Sequence, residues 1–307
     1  MSDRRDFLKG AAAFSAMLAM PGVAAAATGG AARGKGYPLG IAPLSLIELT
    51  PPNRVSCAAE AGYSSIGMRL VPATPTEAKY DLVSRDSAVR KATVQRLKET
   101  GVKVLDIEII RFTPDFKAKD LDPVFESAAD LGASRALVAG NDKDMERTAD
   151  NFAALCDVAA PYKISCAIEF MPFTEVKSLK QAGALIRKVN KPNAGIVFDA
   201  MHFHYSAGTI EDIRNTPANY ISYVQICDAE AVAPKDNAGL IHHARGFRHS
   251  PGKGAVNLVD IFRALPRHLP ISVECINEKF AYSMSPLARA KEYFVDTQKV
   301  LAAANYS

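Results

Sequence analysis

The sequence predicts an α/β protein, a single-domain (β/α)₈ TIM barrel, and three observations lead to this fold class. Eight apolar, strand-like runs alternate with helical segments along the chain, which indicates parallel strands joined by crossover helices. Eight is the number of strands that closes such a sheet into a barrel. The first run is followed by no Gly-x-Gly-x-x-Gly motif, so a doubly wound dinucleotide-binding fold would lack its phosphate-binding turn.

The strand-like runs are apolar enough to be covered on both faces, as barrel strands are. The sixth run places Ile196, Val197 and Phe198 in succession, a pattern typical of a strand buried between a barrel interior and its helices. The eight runs begin at Tyr37, Ser64, Val102, Ser134, Ile164, Ala194, Tyr220 and Pro270.

Helical periodicity and end signals separate these runs. The segment DSAVRKATVQRLKETG has apolar residues at helical spacing and ends at Gly101, which predicts a glycine C-cap. The segment TEVKSLKQAGALIRKVNKP predicts a helix that begins at Thr174 and ends before a proline. Two longer helices are predicted in DKDMERTADNFAALCDVAAPY and SPLARAKEYFVDTQKVLAAA.

The N-terminus carries a pattern that is separate from the barrel. Arg4 and Arg5 precede a short, Ala-rich apolar run that ends in an Ala-x-Ala-like site, and this closely resembles a twin-arginine export signal. We therefore expect a signal peptide over 1–27, a Gly/Ala linker over 28–36 and the barrel over 37–307. This assignment implies the twin-arginine export machinery as a partner and a periplasmic location. The run is too short for a stable membrane anchor, and the alternative is a basic segment before a short amphipathic helix.

Composition excludes several classes of protein. The chain of 307 residues has a net charge of +4 with its basic residues scattered, so no nucleic-acid-binding stripe is expected. The five cysteines form no Cys-x-x-Cys pair, and their odd number argues against a disulfide scaffold. The sequence leaves open whether the chain forms a homo-oligomer.

Polar residues follow four successive strands, at the end where barrel enzymes hold their active sites. Glu169 ends the fifth run, Asp199 the sixth and Gln225 the seventh, while Glu274 follows the eighth. Three carboxylates around one barrel mouth would repel each other strongly unless a cation neutralised them. The pattern therefore favours a divalent metal ion as cofactor.

These residues lie in motifs that resemble a known family. The motifs are AIEFMP, VFDAMHFH, VQICDA, HARGFRHSPGKGAVN and ISVECI, in the order and spacing of the xylose-isomerase-like, AP-endonuclease-family TIM barrels. The closest resemblance is to their sugar phosphate isomerase/epimerase group. It implies one divalent ion held by Glu169, Asp199, Gln225 and Glu274.

The same resemblance implies roles for the residues around the ion. His202, the histidine of the Asp-x-x-His motif, would touch substrate or move protons. An arginine before the Pro-Gly-x-Gly turn would bind substrate, and we favour Arg248 over Arg245. Arg69 and Glu108, at the ends of the second and third strands, would line the pocket or form a structural ion pair.

The seventh strand departs from many sugar epimerases, which have histidine where Gln225 stands. Three carboxylates and an amide oxygen form an all-oxygen ligand set, which suits Mg²⁺ or Mn²⁺ better than Zn²⁺. Glutamine at this position resembles the 3-dehydroshikimate dehydratases of the same superfamily. The chain also lacks tryptophan, unlike relatives with Trp-lined sugar pockets.

The function expected from these residues is proton abstraction next to a carbonyl of a small carbohydrate-like substrate. Glu169 or Glu274 would remove the α-proton and the other would return it, which gives isomerisation or epimerisation. If a β-hydroxyl leaves with His202 as acid, the outcome is dehydration and the protein is a lyase. A non-catalytic barrel is the third alternative. A DNA-repair nuclease is disfavoured because its additional histidine ligands and a basic stripe are missing.

Overall fold

The computed structural model describes residues 36–74, 77–281 and 283–306 and forms the expected closed barrel. The predicted signal peptide over 1–27 lies outside the described residues and stays a prediction, as does nearly all of the linker. Eight parallel strands pair in chain order, and β1 closes the barrel against β8. The strands are β1 Leu39–Ile41, β2 Ser65–Arg69, β3 Lys103–Phe112, β4 Arg135–Gly140, β5 Ser165–Glu169, β6 Ala194–Asp199, β7 Ile221–Ile226 and β8 Ile271–Val273.

Helices connect the strands and cover the outside of the barrel. The described residues form α1 Pro51–Ala61, α2 Ala88–Thr100, α3 Asp122–Asp130, α4 Met145–Ala159, α5 Leu179–Val189, α6 Ala200–Tyr205, α7 Ile210–Arg214, α8 Asn237–Gly246, α9 Leu258–Ala264, α10 Glu278–Ala281 and α11 Pro286–Ala303. Among them, none is both long and apolar enough to pass through a bilayer.

Two helix boundaries show how local chemistry sets the ends. Gly101 follows α2 with a φ of 70°, so the predicted glycine C-cap is confirmed. The predicted helix start at Thr174 is wrong, because α5 begins at Leu179 with Ser178 as its N-cap. The buried Thr174 hydroxyl instead donates to the carbonyls of Met171 and Val176 and stabilises a turn before the helix.

The apolar core has two parts, because every second residue of a barrel strand points inward. The larger part packs the outer face of the strands against the helices. The smaller part fills the barrel interior, and the described residues in it are Leu105, Ile109, Leu137, Ala139, Ala167, Met171, Val197 and Tyr223. All five cysteines are buried and free, as expected for small apolar side chains.

A polar contact crosses this apolar interior. The hydroxyl of Tyr223 on β7 donates to Asp106 Oδ2 on β3 at 2.6 Å, and both side chains are fully buried. A buried carboxyl without a partner is costly, so this bond satisfies a group that the barrel interior would otherwise leave without a donor.

We expect Tyr223→Phe to lower the free energy of unfolding by about 1–3 kcal/mol, because it leaves the buried Asp106 oxygen without its donor. Urea unfolding measures the change. Tyr162→Phe is the matched control, since the Tyr162 hydroxyl bonds Asp122 at the exposed surface and should contribute far less. Equal effects of the two substitutions would contradict a special role for the buried bond.

Candidate active site

The four predicted ligand residues all lie at the C-terminal mouth of the barrel. Glu169 and Asp199 are the last residues of β5 and β6, and Gln225 is next to last in β7. Glu274 directly follows β8. Each of these side chains is buried, with an exposed fraction of 6% or less. Adjacent strands therefore bring the four side chains to one end of the fold, as the sequence predicted.

Arg248 is the cation that the structure places among these carboxylates. Its Nη1 lies 2.7 Å from Asp199 Oδ2, and its Nη2 lies 3.0 Å from Glu274 Oε2. One planar guanidinium thus joins the ends of β6 and β8. Burial alone would lower the pKa of Arg248, but the two carboxylates outweigh it and raise the pKa well above its usual value. Arg248 therefore stays charged.

His202 lies in the same cluster and is neutral at physiological pH. Its Nε2 is 3.7 Å from Glu169 Oε1 and 3.4 Å from Arg248 Nη2, while its Nδ1 is buried without a hydrogen-bond partner. Burial lowers the pKa of His202 from 6.5 to about 4, although Asp199 opposes the shift. The ring can therefore donate or accept one hydrogen bond but carries no charge.

His202 and His204 are two residues apart, and the structure places their rings in different surroundings. Asp199 Oδ1 accepts the backbone N–H of His202 at 2.8 Å and so caps the short helix α6. Because the segment is helical, the two rings diverge. His202 points into the cluster, while His204 Nε2 contacts the carbonyl of Glu230.

The carboxyl groups of the cluster differ in proton affinity. Burial, with the nearby charges of Glu274 and Asp199, raises the pKa of Glu169 well above 4.5. Burial also raises the pKa of Glu274, but Arg248 opposes it, and the result is about 7. For Asp199 burial is outweighed by Arg248 and His202, and its pKa falls below 3.8. The three carboxyl groups thus have pKa values that are raised well above 4.5 for Glu169, raised to about 7 for Glu274 and lowered for Asp199.

Gln225 joins this cluster to a second buried acidic pair. Its Nε2 donates to Glu108 Oε1 at 3.1 Å, while its Oε1 is buried without a partner. The pKa values of Glu108 and of its neighbour Asp106 are both raised, chiefly by burial. For Glu108 the charges of Asp106 and Glu274 add to the effect of burial, and its pKa lies well above 4.5.

The remaining predicted substrate residues lie around the mouth. Arg69 Nε is 3.0 Å from Glu77 Oε1, and its Nη1 is 3.8 Å from Glu108 Oε2, so the ion-pair alternative describes Arg69. Arg245 is exposed near the end of α8 and forms no ion pair within the described parts of the chain. Arg111 Nη1 donates to Asn141 Oδ1 at 3.1 Å.

Asp228 holds the segment that follows Arg248 through hydrogen bonds to its backbone. The Asp228 carboxylate accepts the backbone N–H groups of Ala229, Gly252 and Val256 at 2.8–2.9 Å. Gly254 is required there, since a Cβ at this position would lie 2.4 Å from the Ala229 carbonyl oxygen. Asp228 therefore shapes the loop after Arg248 and is not part of the carboxylate cluster.

Sequence reasoning missed Cys227 as a member of the site. Arg248 Nη1 lies 3.0 Å from the Cys227 Sγ, and burial raises the pKa of this thiol. The signal was present, because Cys227 lies two residues after Gln225 and so shares its inward face on an extended chain. Asp106 was also missed, although it alternates with Glu108 in the same way.

Comparison with known proteins identifies the family to which the fold belongs. The model of the xylose isomerase-like TIM barrel family matches residues 55–302, most of the barrel. The protein belongs to this family of (β/α)₈ barrels.

The curated relatives fall into two groups with different names. The inosose isomerase of Bacillus licheniformis is 33% identical over 106 residues, which cover 34% of this chain and 36% of that protein. The 3-dehydroshikimate dehydratase of Pseudomonas aeruginosa is 25% identical over 252 residues, 75% of this chain and 37% of that protein. The chain thus spans little more than a third of the length of the curated relatives that it matches.

Solved structures share the barrel over most of the chain. A crystal structure of the IolI protein with a bound zinc atom superposes with a TM-score of 0.72 and 20% identity, over 88% of this chain and 99% of that one. The D-allulose 3-epimerase of Methylomonas sp. gives a TM-score of 0.62 and 16% identity, over 87% and 99%.

The side chains present could hold a divalent ion. Glu169, Asp199 and His202 each offer a ligand atom, and these atoms lie within 4.8 Å of one another. The Gln225 Oε1, buried without a partner, is a further oxygen donor beside Asp199 in the strand register. Carboxylate, amide and imidazole donors are the groups that bind Mg²⁺, Mn²⁺ and Zn²⁺ in proteins, so the residues fit such an ion.

We expect Glu108→Gln to stabilise the protein increasingly as pH rises above 4.5. The folded wild type keeps a proton on Glu108 that the unfolded chain loses, so its stability falls with rising pH in this range. Glutamine carries no such proton, yet it can donate to Asp106 and accept from Gln225. The free-energy difference should grow by up to about 1.4 kcal/mol per pH unit.

Urea unfolding of both proteins from pH 4 to 7 measures this difference. Glu211→Gln, which changes an exposed acid on α7, is the control and should give a nearly flat difference. A flat difference for Glu108→Gln as well would mean that Glu108 is ionised and paired with Arg69.

Proposed function

We propose that the protein is a divalent-metal-dependent isomerase or epimerase acting on a keto compound derived from a sugar or polyol. The observation that carries the proposal is the cluster of Glu169, Asp199 and Glu274 with His202 and Arg248 at the barrel mouth. The partial matches to the inosose isomerases support a cyclic polyol ketone among the candidates.

Moving a proton from one face of a carbon to the other needs one group that removes the proton and a second group that returns it. The pKa values of the two glutamates suit these two roles. Glu274, with a pKa of about 7, is the better base. Its carboxylate form is populated at neutral pH, and a carboxylate with this pKa is more basic than that of an ordinary glutamate. Glu169, whose pKa burial raises well above 4.5, would be the acid that returns the proton. Two carboxyl groups held in different protonation states are a recurring arrangement for paired acid and base catalysis.

The other side chains of the cluster bind and orient the substrate. A divalent ion, when bound, supplies a positive charge that polarises the substrate carbonyl and stabilises the enediolate formed by proton loss. Arg248 provides a cation whose N–H groups can donate to a substrate oxygen. His202 contributes a neutral hydrogen-bonding ring, and its Nδ1 remains available for a substrate hydroxyl.

A dehydratase is the second candidate, and a specific observation favours it. The match to the 3-dehydroshikimate dehydratase covers more of this chain than the inosose isomerase matches do. The same glutamates would remove the α-proton, and a β-hydroxyl would leave as water. The low pKa of His202 opposes a role for its imidazolium as the acid, so the neutral ring or Glu169 would have to assist.

The two candidates differ in what happens to water. The Mn²⁺-loaded protein is incubated in D₂O with a keto-inositol, a ketose and 3-dehydroshikimate, and the products are followed by NMR and ultraviolet absorbance. Deuterium at the α-carbon without loss of water supports the isomerase, while a new conjugated absorbance supports the dehydratase. No exchange with any substrate, together with no retained metal, would contradict both candidates.

With a substrate identified, Glu274→Gln and Glu169→Gln should separate the two roles. Glu274→Gln should abolish exchange of the α-proton, because the base is lost, with a rate decrease of about 10²–10⁴. Glu169→Gln should lose product formation similarly but retain exchange through Glu274. Glu211→Gln on the outer surface is the control and should keep wild-type rates. Loss of exchange only in Glu169→Gln would reverse the assignment.

A further inference from the structure

Arg248 contacts two of the residues that the sequence predicts as metal ligands, Asp199 and Glu274. Its two terminal nitrogens lie at 2.7 Å from Asp199 Oδ2 and 3.0 Å from Glu274 Oε2, so one side chain provides the positive charge for both. Arg248 is only 2% exposed and both carboxylates are buried. The cluster is therefore closed and neutralised by a residue of the chain itself.

We propose that Arg248 is an internal counter-ion that competes with the divalent ion for Asp199 and Glu274. The guanidinium holds the two carboxylates when the ion is absent, and binding of the ion releases the guanidinium toward the substrate. This inference rests on the metal dependence proposed above. It makes metal binding and exposure of the substrate-binding arginine a single linked event.

The hydrogen bonds of Asp199 explain why both cations cannot bind it together. Asp199 Oδ1 accepts the backbone N–H of His202 and caps α6, and Oδ2 is held by Arg248. An ion that takes Oδ2 would lie next to the guanidinium, and two unpaired like charges at this distance in a buried site repel strongly. The ion therefore binds Asp199 only if the Arg248 fork moves away.

The backbone around Arg248 allows the side chain to move while the loop stays in place. The N–H of Arg248 donates to the Ile276 carbonyl at 2.7 Å, and Asp228 holds the loop that follows. Besides the two carboxylates, the side chain contacts the Ala244 carbonyl through Nε, the Cys227 Sγ through Nη1 and, at 3.4 Å, the His202 Nε2 through Nη2. The thiol is a weak acceptor and the contact with His202 is long, so these contacts oppose rotation of the guanidinium less than the carboxylates do.

The test is the affinity of the full-length protein for Mn²⁺, measured by calorimetric titration after removal of metals with a chelator. Arg248→Gln removes the competing charge and should bind Mn²⁺ at least about tenfold more tightly than the wild type. Arg245→Gln is the matched control. It removes the same charge three residues away, from a side chain without an ion pair in the described residues, and should change the affinity by no more than about twofold.

Thermal unfolding supplies a readout that is independent of activity. Without metal, Arg248→Gln should melt below the wild type, because it leaves buried carboxylates without their cation. Mn²⁺ should then raise its melting temperature more than it raises that of the wild type. If Arg248→Gln does not fold, Arg248→Lys replaces it, since one ammonium group spans the two carboxylates less well and should also bind Mn²⁺ more tightly than the wild type.

The possible outcomes distinguish this inference from the proposed function. If the wild type binds Mn²⁺ and the Arg248 variants bind it equally or more weakly, the counter-ion role is overturned. The proposed metal dependence is then unaffected. Binding by the variants but not by the wild type would support the counter-ion role and contradict a metal-dependent enzyme. No binding by any of the proteins would overturn both.

Discussion

The burial of three carboxylates at one barrel mouth is the constraint on which the rest of the site depends. Glu169, Asp199 and Glu274 lie out of water, where like charges repel strongly and an unpaired charge is costly. Two features of the structure reduce this cost. Arg248 pairs with Asp199 and Glu274 directly, and burial raises the pKa of Glu169. As a result, the carboxyl groups of the cluster differ in proton affinity.

The barrel brings these groups together without long loops. Asp199 and Gln225 are paired in the register of β6 and β7, and Glu169 and Glu274 come from the strands on either side. Three of the four predicted ligand residues therefore lie within strands, where the register fixes their positions. The fourth, Glu274, directly follows β8. Arg248 is the exception, since it comes from a loop that Asp228 holds by three backbone N–H groups.

A second pair of buried acidic residues lies inside the barrel and contacts the residues at its mouth. Tyr223 donates to Asp106, and Gln225 donates to Glu108. Through Gln225 this pair contacts the candidate site directly. Because Glu108 Oε1 accepts the Nε2–H of the Gln225 amide, the amide Oε1 is the atom left without a partner.

The sequence by itself determined the barrel, the four strand ends and the family, because parallel strands align their C-terminal ends whatever the loops do. Alternation along each strand also predicted which polar residues share the inward face, and the same rule would have included Cys227 and Asp106. The helix start predicted at Thr174 was wrong, because the Thr174 hydroxyl stabilises a turn before the helix. Only the tertiary structure decided that Arg248 lies between Asp199 and Glu274. That contact joins residues 49 and 26 positions apart, and its partners depend on how a loop folds back over the mouth.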